Sequence, residues 1–450
     1  MDFIDKLINI FPEVKAPTQK RLPFKEKIKW TLIILVVFFI LGMIPLFGLG
    51  QNAMAQFEYL SIILGAKFGS IISLGIGPIV TASIVLQLLN GTGMVHFDLH
   101  THEGKRRFQG IQKLLALFFV LLEAAIYVFM GGLAPSQAFQ GTPLYFQLQL
   151  LLILQLFLGG IMILFMDEIV SKWGLGSGIS LFIAAGVSQQ IFVRALSWVH
   201  PEQNPEAFAG AIPELIRSLG TGETITAMIL LSSLVFTVLV FIMAVYVQAM
   251  KVEIPLGFGR IRGHGIRWPL NFMYPSNIPV ILVAALLANI QLFARLVFKA
   301  SESSLAWLNG HNIIRALITG SVTYTMAWQS AAYVLIMMGG ALLFGFFWVQ
   351  SSGLDPASQA ENIMSSGLHM PGFRRDKRVL ERLLARYIWP LTIMGSLAVG
   401  FLAAFADLTG SLSRGTGILL TVMIIYRLYE EVAKEHMMDM NPMMRKFMQS

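Results

Sequence analysis

Apolar residues in this chain gather into runs of about 20 with almost no charge inside them, the length a helix needs to cross a bilayer. Such runs begin near Trp30, Ile71, Leu114, Tyr145, Trp173, Thr224, Trp268, Ala327 and Tyr387. A tenth begins near Gly415; it is free of charge only as far as Tyr426, and Arg427 must snorkel toward the interface. The pattern predicts an all-α membrane protein with ten spanning helices. Gln51 to Gly69 is helical in pattern, but Glu58 and Lys67 make it too interrupted to span, so it is expected at the outer face. Ahead of the first run, Phe3, Ile4, Leu7, Ile8 and Phe11 share one helical face, which predicts a short amphipathic helix on the membrane surface.

Composition agrees with that solvent. The 450 residues are 56% hydrophobic and 13% charged, against about 25% charged in soluble domains. With no cysteine there is no disulfide framework, no Cys-type zinc site and no thiol nucleophile. The first run is too long for a signal-peptide core and lacks a small-residue cleavage site, so no cleavable signal is expected. A net charge of +8 would suggest nucleic acid in a soluble chain; here the question is which side carries it. With a cytoplasmic N-terminus, 26 of the 33 Lys and Arg fall on the cytoplasmic side and 7 outside. That bias follows the positive-inside rule, and an even number of spans returns the C-terminus to the cytoplasm.

The spans also repeat. Gly176-Ser177-Gly178-Ile179 opens the fifth and Gly415-Thr416-Gly417-Ile418 the tenth, while Pro78 stands near the start of the second and Pro279 near the start of the seventh. Corresponding positions in two five-span halves, 1–222 and 223–450, must have opposite orientation, because five is odd: an inverted-topology repeat. Residues that weaken a helix interior, Gly75, Gly77 and Pro78 among them, thus open some of the most apolar segments. Beside them stand aliphatic side chains. Ile76 and Val80 share a helical face, as do Ile179 and Ile183; Ile281 follows Pro279 and Leu420 follows Gly417. Small residues would let four helices approach or bend around one axis, with the aliphatics forming a narrow hydrophobic constriction. The plainer reading, that these are packing or lipid-facing aliphatics, stays open on periodicity alone. Glu123 lies deep within the third span, where a charge is costly, and reads either as functional or as a neutral, hydrogen-bonded core acid.

Four segments carry a resemblance: SLGIGPIVTASIVLQLL (73–89), MDEIVSKWGLGSGISLFIAAGVSQQIF (166–192), SNIPVILVAALLANIQLF (276–293) and GTGILLTVMIIYRLYE (415–430). In this order they resemble the SecY family of protein-translocation channels, in its archaeal and eukaryotic-like branch, over nearly the whole chain. The resemblance implies a ten-helix channel whose halves hinge, passing secretory polypeptides and releasing membrane segments sideways into lipid. It implies a pore ring at Ile76, Val80, Ile179, Ile183, Ile281 and Leu420, and a re-entrant plug helix over about 53–67. Thr81, Glu123 and Asn289 would form the polar cluster of the lateral gate. Gly75, Gly77, Pro78, Gly176, Gly178, Pro279, Gly415 and Gly417 would mark where pore-lining helices begin again beside a water-filled funnel, the setting in which irregular backbone is tolerated at membrane depth.

Two basic stretches, 251–267 and 370–386, fall on the cytoplasmic side. Alone they could be retention charges or could suit RNA phosphate. The resemblance implies ribosome docking, carried to Arg260, Arg262, Arg374 and Arg375, and two small single-span partner subunits, one SecE-like and one of beta type. No catalytic residue, cofactor or metal is expected. There is no phosphate-binding Gly-Lys-Ser/Thr loop, so the driving force must come from a partner. All eight histidines fall in loops or tails; His96, His100 and His102, with Asp98 and Glu103, have metal-like spacing on a loop that fixes no geometry. Read from the residues alone, a secondary transporter is the rival, since it shares inverted repeats and broken helices. It would need polar side chains where this chain offers six aliphatics.

Overall fold

The structure is a computed structural model describing residues 12–18, 22–52, 67–91, 94–95, 97, 101–200, 206–258, 265–296, 303–308, 310–365, 368–369, 376–413 and 415–440. The first four helices are α1 (Phe24–Leu41), α2 (Gly77–Gly91), α3 (His102–Phe129) and α4 (Pro143–Trp173). Next come α5 (Gly178–Leu196), the short α6 (Ala211–Thr221), α7 (Thr224–Ala249) and α8 (Ile278–Leu296). The remainder are α9 (Ile313–Ile318), α10 (Tyr324–Ser351), α11 (Pro356–Ser365), α12 (Lys377–Leu408) and α13 (Gly415–Met440).

Among the described residues, seven stretches are long and apolar enough to cross a membrane. They are Arg106–Phe129, Pro143–Trp173, Gly178–Leu196, Thr224–Ala249, Ile278–Arg295, Tyr324–Ser365 and Lys377–Leu408. The other three expected runs are helical but fall outside that count for physical reasons. α2 has only 15 residues; α1 opens on Lys25, Glu26, Lys27 and Lys29, and α13 carries Arg427, Glu430 and Glu431 beyond its apolar start.

One expectation needs correction. The apolar run from Trp268 does not begin a helix: Trp268 lies in a strand, and α8 starts at Ile278. A run of apolar residues has the same appearance in a buried strand as in a helix, and only the turn around Ser276, with φ of +63°, separates the two. The bundle is helical, as expected, and five short strands among the described residues lie at its edges. β1 (Leu49–Asn52) pairs antiparallel with β2 (Leu133–Pro135). At the basic end, β3 (Lys251–Phe258), β4 (Gly265–Asn271) and β5 (Leu368–His369) form a sheet in the order β4-β3-β5. The two basic stretches are therefore not independent loops. Gly257 pairs with His369 and Phe258 with Leu368, which joins the first through backbone to the residues just ahead of the second.

Close helix packing follows from small residues. Gly400 of α12 faces the α10 backbone, where an added Cβ would meet Met337 O at 2.8 Å, and Gly340 of α10 accommodates Val283 of α8. One large hydrophobic cluster draws on α1, α2, α4, α5, α7, α8, α10, α12 and α13, and a second joins α3, α4 and α8. A third, with Ile254, Leu270, Val349, Leu380 and Leu384, seats the sheet against α10, α11 and α12.

Candidate functional site

The segment before α2 is not helical. Residues 71–76 form turns, with the Gly75 N–H donating to Ile72 O at 3.0 Å. Gly75 takes φ of +56°, a left-handed conformation that a side chain would strain. The helix then begins at Gly77, and Pro78 stands where a missing N–H costs nothing. α8 opens the same way, with Pro279 its second residue. α5 begins at Gly178, after Gly176 at φ of +72°, and α13 begins at Gly415 with Gly417 in its first turn.

Ile76, Val80, Ile183, Ile281 and Leu420 are each at most 6% exposed and belong to the large cluster. Ile179 is partly buried against it. None of the five faces lipid, although the same helices leave Phe192, Ile290 and Ile425 at least 40% exposed. Toward the basic end lies an open cavity of about 220 Å³, lined by Ser177, Ser180, Asn277, Ile424, Arg427 and Glu431 among others. Ile424 is one helical turn from Leu420 and Ser180 one turn from Ile183, so a polar recess borders the aliphatic cluster.

A polar chain crosses between helices beside it. Asn289 Nδ2 of α8 donates to Thr81 Oγ1 of α2 at 2.6 Å, and Thr81 Oγ1 stands 3.3 Å from Glu123 Oε1 of α3. Thr81 Oγ1 is also 2.8 Å from Gly77 O. A hydroxyl has one hydrogen, so Thr81 gives it either to its own helix or to Glu123 while accepting from Asn289. Glu123 and Asn289 are buried, and Glu123 Oε2 has no partner among the described residues.

Glu123 is not the sole carboxylate held within a span. Asp407 near the end of α12 is buried and accepts from Tyr333 of α10, and Asp167 near the end of α4 accepts from the Ile179 N–H. Sequence reading passed over both. The available signal was an aspartate in the last turns of the span before each Gly-Ser/Thr-Gly-Ile.

A family model described as SecY matches residues 70–429. The chain belongs to the SecY family. The protein translocase subunit SecY of Methanothermobacter thermautotrophicus is 44% identical over 455 residues, covering 99% of this chain and 98% of that protein. That of Methanocaldococcus jannaschii is 42% identical, covering 98% and 99%. Among solved structures, a protein-conducting channel superposes with a TM-score of 0.82 at 39% identity, covering 97% of this chain and 98% of that one. Sec61 in a canine ribosome-channel complex from the endoplasmic reticulum gives 0.79 at 38% identity, covering 97% and 98%.

Several residues expected to matter in this SecY-family chain lie outside the described residues. They are Arg260, Arg262, Arg374 and Arg375, the amphipathic face Phe3 to Phe11, and the plug segment apart from Lys67. His96, Asp98 and His100 are also outside; no group of three metal-binding side chains occurs among the described residues.

Proposed function

We propose that this chain is the large subunit of a protein-conducting channel, passing secretory polypeptides across the membrane and releasing transmembrane segments sideways into lipid. The observation that carries this reading is the burial of Ile76, Val80, Ile183, Ile281 and Leu420, from the starts of four helices, in one large hydrophobic cluster beside a polar recess. An aliphatic collar excludes water and ions at rest yet offers a passing chain no specific bond to hold it. The relatives support the same conclusion: those 44% and 42% identical are protein translocase subunits, and a structure superposing at 0.82 is a protein-conducting channel.

On this reading α1, α2 and α13 also span, giving ten helices in halves 1–222 and 223–450, with both termini cytoplasmic at the basic end. Residues 53–67 act as the plug. The lateral exit lies where α2 meets α8 and α10, and the Asn289–Thr81–Glu123 chain latches it. Arg260 and Arg262, between β3 and β4 in the sequence, and Arg374 and Arg375, between β5 and α12, bind ribosomal RNA, as fits the likeness to a ribosome-bound channel. Two small single-span subunits complete the assembly in a cell membrane, and no cofactor or catalytic residue takes part.

Reconstitution with the small subunits tests the proposal. A secretory chain stalled on the ribosome should crosslink to Ile281→Cys, which has no native cysteine to compete with it. The crosslink should depend on a functional signal sequence. Absence of both crosslinking and signal-dependent translocation, with the complex intact, would refute it.

A further inference from the structure

A helix start leaves its first N–H groups without intrahelical partners, and the residue just before the helix normally supplies an oxygen to them. In α5 that residue is Ser177, whose side chain makes no capping bond. The oxygen comes instead from the preceding span: Asp167 Oδ1 of α4 accepts from the Ile179 N–H at 3.0 Å. Gly178 makes this possible, since an added Cβ there would stand 2.6 Å from the Asp167 Cα and 2.8 Å from its Oδ1.

The start of α13 is held the same way by α12. Asp407 Oδ1 accepts from the Thr416 N–H at 2.8 Å, and Oδ2 accepts from the Thr416 hydroxyl and, at 2.6 Å, from the Tyr333 hydroxyl of α10. Gly415 again allows the approach, because a Cβ there would collide with the backbone of Ala406. Asp167 holds the start of the Gly-Ser-Gly-Ile helix and Asp407 that of the Gly-Thr-Gly-Ile helix, and they stand at opposite ends of the bundle. Lys172, five residues beyond Asp167, ends α4 at the basic end, while α12 starts at that end and reaches Asp407 at the other. This is the relation an inverted repeat requires.

We propose that Asp167 and Asp407 are matched positioning residues, each clasping the first turn of the next helix to the end of its own and so setting the depth of the constriction side chains. The inference rests on the constriction reading. Asp167 bonds to the N–H of Ile179 itself, and Leu420 lies one turn beyond Thr416. Helix starts broken from the chain before them, as the glycines break these, have no covalent neighbour to fix their height. A carboxylate on the neighbouring span does so, and the positive end of the helix dipole favours its charge.

The test uses the full complex with spin labels on cysteines replacing exposed residues: Leu158 and Phe192 across α4 and α5, Phe401 and Ile425 across α12 and α13. Asp167→Ala and Asp407→Ala should broaden the corresponding distance and raise resting ion conductance in planar bilayers several-fold. Asp167→Asn, whose Oδ1 can still accept, should restore both. Where Asp167→Ala does not accumulate, Asp167→Glu, which moves the carboxylate outward by one methylene, should leak. A combined Ile→Ser variant of the constriction is the control. Wild-type distances and conductance in the aspartate variants, while that control leaks, would overturn the clasp. Should the control itself stay sealed, the constriction reading fails, and the distances alone decide: broadened, they uphold the positioning role; unchanged, they remove it.

Discussion

Asn289 on α8 and Thr81 on α2, 208 residues apart in sequence, share a 2.6 Å hydrogen bond inside the bundle. It links two helices across the bundle and leaves Thr81 able to serve Glu123 in turn.

Breaking that link should make the boundary easier to part. Interhelical hydrogen bonds in membranes are worth about 0.6 kcal/mol on average and about 1.7 at most. Asn289→Leu should therefore favour the open boundary by roughly threefold, up to about twentyfold. The readout is translocation of a reporter whose signal sequence has been weakened by one or two polar substitutions, which should rise. A yield equal to wild type would remove the latch.

Replacing Ile76, Ile183 and Ile281 together by Ser or Asn should hydrate the constriction and make the resting channel leak ions. The effect should grow with each position replaced, and not additively, because the side chains share one water-excluding collar. Single-channel recording in planar bilayers measures it, and unchanged conductance in the triple variant would count against the collar.

Ribosome binding should be electrostatic. Arg262→Glu with Arg374→Glu should weaken it at least tenfold, and wild-type affinity should fall steeply with salt as phosphate counterions are released. The check is co-sedimentation of detergent-solubilised complex with ribosomes over a salt series. A flat salt dependence, or equal affinity of the double variant, would place docking elsewhere.

Acid should loosen α6 in a defined window. Hydrogen bonds from Arg217 Nε, at 3.1 and 3.0 Å to the two oxygens, and from Nη2, at 2.5 Å, hold the Glu214 carboxyl below its ordinary range, and the Phe208 N–H adds another at 2.7 Å. A carboxyl depressed in the folded state contributes stability above its unfolded pKa and loses it as pH falls through the folded one. Protection of α6 amides from hydrogen exchange should thus hold at neutral pH and decline below about pH 4. Glu214→Gln should exchange faster at neutral pH and lose the dependence. A variant indistinguishable from wild type at pH 7 would show that the pair contributes nothing to α6.

Hydropathy reads the bundle well where lipid is the solvent: α3, α4, α7, α10 and α12 stand out as long apolar stretches. It fails where apolar residues meet protein instead. Ile254 and Leu270 are buried under the sheet by α10 and α12, so β4 extends an apolar run that α8 continues. At the site, glycine and proline mark the helix starts directly, since Gly75 needs a left-handed φ and Pro78 suits a first turn. Asp167 and Asp407 were harder to see. Each lies near a span's end, where a carboxylate ordinarily meets water, and only the folded chain shows a neighbouring helix start in reach.

The pairing of β3 with β5 makes the basic end a lever as well as a surface. Gly257 and Phe258 are stitched to His369 and Leu368, and α12 begins shortly after, at Lys377, and runs the depth of the bundle to Asp407. Whatever large body grips the hairpin therefore also holds the shaft on whose far tip the last helix hangs. On the channel reading, a displacement of the sheet would pass to α12 through the packing of Ile254 and Leu270 on Leu380 and Leu384.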